Sequence, residues 1–210
     1  MRTRPLRICG TLLWIAALCA ALGACENREQ KPKVAALTLI GAAHAQQTDT
    51  VLSPAAVTSK MAPVDEAFAL VAASSSFAQI EAARLASKAT RSDDVRDYAQ
   101  RVMREHTRAA GELRRIVAPR GLTLPAGPTG RHADMVTKLS GLAPGDLESA
   151  YLQRFGLDAH KEAIALFERH AAEARSPELK RYAQDMLPAL REHMAAAHKL
   201  IHAAAAARQK

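Results

Sequence analysis

Apolar side chains recur at steps of three and four along the second half of this chain, and three such stripes each contain one histidine. Val95, Ala99, Val102, His106, Ala109, Leu113 and Ile116 form the first, Leu179, Ala183, Met186, Leu190, His193, Ala197 and Leu200 the second. This spacing places every member on one face of an α-helix, where neighbouring helices cover it. A third stripe, Leu157, His160, Ile164, Phe167, Ala171 and Ala174, has the same period. Upstream, Pro63 and Asp65 open a stretch free of Gly and Pro from Phe68 to Ala89, which predicts a first helix over 64–89, weakened by the serines at 74–76.

Punctuation divides these stripes into elements. Ser92, followed by Asp93 and Asp94, predicts the N-cap of a second helix that runs to Val117, before Pro119 and Gly121. Residues 119–145 read as a Pro/Gly-rich connection holding one short helix over Arg131–Leu139. A third helix is expected from Pro144 or Asp146, and a fourth from the cap Ser176-Pro177-Glu178. The segment 91–100 also aligns without gaps with 175–184, with five identities. That repeat implies two related hairpins, and the predicted fold is an all-α antiparallel four-helix bundle, ferritin-like, with a long connection between helices 2 and 3.

The first 63 residues have a different character. Arg2, Arg4 and Arg7 precede an apolar run from Ile8 to Ala24, the order of a secretion signal, and Leu22-Gly23-Ala24-Cys25 resembles a bacterial lipobox. The expectation is a signal peptide over 1–25, a lipid anchor on Cys25, a flexible tether over 26–63, a bundle domain over 64–203 and an Ala-rich tail over 204–210. Ala43-His44-Ala45 offers a competing cleavage site that would release a soluble periplasmic protein. The membrane, through that anchor, is the expected partner, and the periplasm, at the outer membrane, is the expected location.

Charge and composition then remove several functions. The chain carries +8, but residues 64–210 hold 22 basic and 18 acidic side chains, so +4 remains outside the leader. Those charges are interleaved and lack stacking aromatics, which argues against a nucleic-acid partner. Cys9, Cys19 and Cys25 all precede the domain, which excludes disulfides, thiolate zinc sites and Cys nucleophiles from it. No Gly-x-Ser-x-Gly elbow or phosphate-cradling glycine loop occurs, so no catalytic residue is assigned.

The candidate chemistry is therefore imidazole and carboxylate. Counting outward from the two tight turns puts His160 opposite His193, and His106 opposite the serines at 75–76, with Glu81 nearer the turn. The plainer expectation is that these histidines are core residues hydrogen-bonded to one another, to a Ser or to a carboxylate. The alternative is a transition-metal site, iron or manganese, using Glu81, His106, His160 and His193. The Glu-x-x-His pairs of di-iron bundles are absent, because Glu105-His106 and Glu192-His193 are adjacent and point about 100° apart. His198 and His202 stand four apart and could share a metal, although histidines also suit a helix C-terminus.

One resemblance gathers these residues. Glu81, Tyr98-Ala99-Gln100, Glu105-His106, Leu124-Pro125, Leu139-Ser140-Gly141, Leu147 to Tyr151, His160-Lys161 and Leu187 to His193 together resemble the bacterial "domain of unknown function 4142" family over residues 64–203. The resemblance implies an exported, ferritin-like helical protein and supplies no reaction. Glu105 stands where that family usually has Asp, and Leu147-Glu148 where it has Phe-Asp. The expectation is thus an exported envelope protein, a non-enzymatic bundle or interaction module, with a metal-binding ferritin-like protein as the alternative.

Overall fold

The computed structural model describes residues 59–209, and among them there are helices and no strand. The elements are α1 (Pro63–Ala89), α2 (Asp93–Val117), a 3₁₀ turn (Ala118–Arg120), α3 (Arg131–Ser140), α4 (Pro144–Tyr151), a π-helical segment (Leu152–Asp158), α5 (Ala159–Glu173) and α6 (Pro177–Ala207). The expected signal peptide, Cys25 and nearly all of the expected tether lie outside the described residues. None of the described helices is long and apolar enough to cross a membrane.

The capping residues act as their chemistry requires. Ser92 Oγ accepts from Val95 N and Ser176 Oγ from Leu179 N, each at 3.3 Å, so both long second helices begin on a serine that satisfies an otherwise orphaned N–H. Gly121, at φ 78°, supplies the left-handed residue that ends the 3₁₀ turn after α2. Asp65 works at a distance: its carboxylate, fully buried in the first turn of α1, accepts from Arg175 N at 3.1 Å and Ser176 N at 2.8 Å. It thereby ties the start of α1 to the turn between α5 and α6.

Helices α1 and α2, joined by three residues, pack along each other, as do α5 and α6, and α6 also lies against α2 and the π-helical segment. The apolar core has two parts. One gathers Phe68, Ala72, Leu113, Val117, Phe167, Tyr182 and Leu190. The other gathers Ala82, Val95, Val102, Tyr151, Leu152, Phe155 and Ala197. Every long helix passes from one to the other through a buried polar residue: Ser76 and Gln79 in α1, His106 in α2, His160 in α5 and His193 in α6.

The expected third helix is where the fold departs from a simple periodic reading. It begins at Pro144 but passes through a π turn before continuing as α5, so an extra residue is accommodated within one turn. Upstream of His160 the buried positions are accordingly Tyr151, Leu152, Phe155 and Gly156, whereas Leu157 of the predicted stripe is only partly buried. Gly156 has a steric reason: a Cβ there would stand 2.6 Å from Ala197 Cβ and 3.4 Å from Tyr98 Oη, so the π segment reaches α6 only without a side chain. The serines of α1 are likewise partners, not interruptions. Ser74 Oγ accepts from Thr129 N at 2.9 Å and meets His132 Nδ1 at 2.9 Å, which fastens the connection after α2 onto α1.

Candidate metal centre

The polar layer between the two apolar clusters is built from His106, His160 and His193, each fully buried. Each histidine occupies the position that its helix turns inward: four residues after Val102, three before Ala163 and three after Leu190, all buried. Their candidate ligand nitrogens all lie within 4.8 Å of one another, and the ring centroids are 5.2 to 5.7 Å apart.

The surrounding hydrogen bonds assign the tautomers. The Phe155 carbonyl oxygen can only accept, so His160 Nδ1, 2.6 Å away, carries the hydrogen and donates it. Gln79 Nε2 donates to the same carbonyl at 3.1 Å. The neutral His160 ring then presents Nε2 as an acceptor, and His193 Nδ1 donates to it across 3.2 Å. His106 Nδ1 meets Ser76 Oγ at 3.4 Å.

Two ring nitrogens of this layer remain without a hydrogen-bond partner, His106 Nε2 and His193 Nε2. Glu105 Oε2 approaches His193 Nε2 to 2.8 Å, yet out of line for an N–H···O bond, so the contact is close without satisfying the nitrogen. Burial is the main cause that holds the rings neutral. It pushes His106 well below the ordinary histidine range with help from its two neighbours, His160 down to about 3 and His193 down to about 4, where the Arg101 guanidinium adds to the effect. Neutral imidazoles with free lone pairs are the form in which histidine binds metals.

The family model that describes the "Domain of unknown function (DUF4142)" matches residues 50–200. The chain belongs to the DUF4142 family. A solved structure, "Crystal structure of DUF305 fragment from Deinococcus radiodurans", is similar to this DUF4142 chain with a TM-score of 0.59 at 17% identity. The match covers 68% of this chain and 97% of that one, and at such identity it speaks for the helical fold alone. Among the curated proteins, none matches.

Within the DUF4142 domain, three of the four metal-ligand candidates come together and the fourth does not. Glu81 is 40% exposed and pairs with Arg84 at 2.6 Å. The physical reason is helical phase: five residues beyond Ser76, Glu81 is turned about 140° from the face that meets His106. Gln79, three residues beyond Ser76 and on that same face, is the α1 residue buried beside His160. Its signal was present in the sequence as a polar residue in phase with Ala72, Ser76 and Ala83. The Phe155 carbonyl could not be foreseen, because it depends on the π turn. His198 and His202 face each other on the surface of α6, their Nε2 atoms 3.2 Å apart.

Proposed function

We propose that this DUF4142 domain is a metal-binding four-helix bundle of the ferritin-like kind, in which the layer of His106, His160 and His193 holds one divalent transition ion. The observation that carries the reading is that two buried ring nitrogens without a hydrogen-bond partner belong to one cluster whose candidate ligand nitrogens lie within 4.8 Å of one another. The cluster fits such an ion by the chemistry of its donors: imidazole suits zinc, copper, iron and nickel, and the second nitrogen of His160 is fixed by a carbonyl as outer-shell partners of ligating histidines are. The competing reading is an inert envelope bundle whose histidines satisfy one another, and the His160–His193 bond favours it. Elemental analysis of chain purified without a His-tag or chelator separates the two. About one equivalent of a transition metal, lost in the His106→Gln/His193→Gln variant, is the expected result. Less than about a tenth of an equivalent, with no thermal shift on adding zinc, iron, manganese or copper, rejects the metal.

The leader before Cys25 supports export to the periplasm, with the bundle anchored to a membrane through an acylated Cys25. A fatty-acid label that enters the native chain but not Cys25→Ala is the expected result in a bacterial host, and an unlabelled native chain rejects the anchor.

A further inference from the structure

Two histidines outside the buried layer meet on the surface of α6. His198 and His202 are exposed, with their Nε2 atoms 3.2 Å apart and their ring centroids 4.4 Å apart. A separation of four residues puts both rings on one helix face, one turn apart, the spacing at which a helix presents two imidazoles to zinc. The helix dipole does not account for the pair. Its attraction for a cation fades within the last turn, whereas α6 runs on to Ala207, nine residues beyond His198 and five beyond His202, and its last turn holds no basic side chain. No carboxylate on the helix accounts for it either, because the chain has no Asp or Glu after Glu192. Among the described residues, the hydrogen-bond partner of each ring is the other ring.

We propose that His198 Nε2 and His202 Nε2 chelate a zinc ion at the surface of α6, with two waters completing its tetrahedron. Nitrogens bound at about 2.0–2.1 Å to a tetrahedral zinc stand about 3.3–3.4 Å apart, whereas adjacent corners of a square-planar site would be about 2.8–3.0 Å apart. The 3.2 Å observed is closer to the tetrahedral span, so the rings need little movement to close on the ion. In the metal-free chain one ring donates its Nε2–H to the other; on binding, that ring carries its hydrogen on Nδ1 instead, and both Nε2 lone pairs face the zinc. Ala195, Ala205 and Ala206, the neighbours three or four residues away on that face, are small and leave the solvent side open to water. This site is separate from the buried layer, because His198, five residues beyond His193, is turned about 140° from the face that meets His160. With two protein ligands, where structural zinc takes four and catalytic zinc three, the ion is held weakly and exchanges readily.

The test is a zinc titration of the full, untagged chain, stripped of metal and held in a buffer that does not bind zinc, against His198→Ala/His202→Ala. Both positions are exposed on a helix, and alanine favours the helix, so the variant keeps the fold. The native chain is expected to take one more equivalent of zinc than the variant. Equal uptake overturns the proposal. Any zinc that the variant still binds belongs to the buried layer, so the two sites succeed or fail separately. A second variant, His202→Ala/Ala203→His, keeps both imidazoles but turns the second about 140° away from His198. Its surface affinity is expected to fall at least about tenfold, as the second ligand no longer binds within the same molecule at high effective concentration. An affinity equal to that of the native chain would show that the rings act singly, and would overturn the chelate.

Discussion

Replacing Gly156 by alanine tests whether the π turn and α6 are held together as described. An ideal Cβ at 156 would lie 2.6 Å from Ala197 Cβ, against a favourable carbon–carbon separation of about 3.5–4.0 Å. The two segments must therefore part by about 1 Å, and overpacking of this kind costs about 1–3 kcal/mol. Against this stands the helix propensity of alanine over glycine, about 1 kcal/mol, which leaves a net loss of up to about 2 kcal/mol. The compensating change is Ala197→Gly. In that background the nearest remaining Ala197 atom is Cα at 3.9 Å, an ordinary contact, so Gly156→Ala should there become neutral or stabilising by up to about 1 kcal/mol. A double-mutant cycle by urea unfolding, followed by far-UV circular dichroism, should thus give a coupling of about 1–3 kcal/mol. With a urea m-value of about 2 kcal/mol per molar, Gly156→Ala alone would move the midpoint down by up to roughly 1 M. Equal effects of Gly156→Ala in both backgrounds would refute the close approach. The same substitution should weaken zinc binding, because Phe155, whose carbonyl fixes His160, precedes Gly156.

Two further outcomes follow from buried polar groups. His106, His160 and His193 are neutral in the folded chain well below the ordinary histidine value of 6.5, whereas the unfolded chain takes up their protons at about that pH. Stability of the metal-free protein is therefore full above about pH 6.5 and falls as pH drops toward 4 and 3, at about 4 kcal/mol per pH unit if all three rings contribute. A urea midpoint unchanged between pH 7 and pH 5 would contradict this. Asp65→Ala removes an acceptor from Arg175 N and Ser176 N and leaves both donors orphaned, for a loss of about 3–5 kcal/mol and roughly 10 °C in Tm by calorimetry. A loss below about 1 kcal/mol would mean that the turn holds α1 by other means.

Much of this fold could be read from the sequence because its helices obey local rules. Ser92 and Ser176 cap where they stand, and the α2 and α6 stripes are buried from Val95 to Leu113 and from Leu179 to Ala197. Counting residues outward from a tight turn was enough to pair His160 with His193 and His106 with Ser76, because antiparallel helices keep equal heights opposite each other. The same count failed for Glu81, since height along a helix says nothing about rotation around it, and 140° separates Glu81 from the face of Ser76. The π turn was illegible for a different reason. A π turn has no strong residue preference to mark it, and its trace here, a glycine inside an otherwise helical run, reads equally as a weak spot in an α-helix. That Asp65 caps the start of α6, 110 residues away, is a tertiary fact that a local rule assigns to α1.

X-ray absorption in a His198→Ala/His202→Ala background, with the full chain loaded with one equivalent of zinc, addresses the histidine layer most directly. A first shell at about 2.0–2.1 Å, with the outer-shell scattering of at least two imidazoles and its loss in His106→Gln/His193→Gln, is the predicted spectrum. A shell of oxygen atoms alone, identical in that variant, would show that the buried histidines hold no metal.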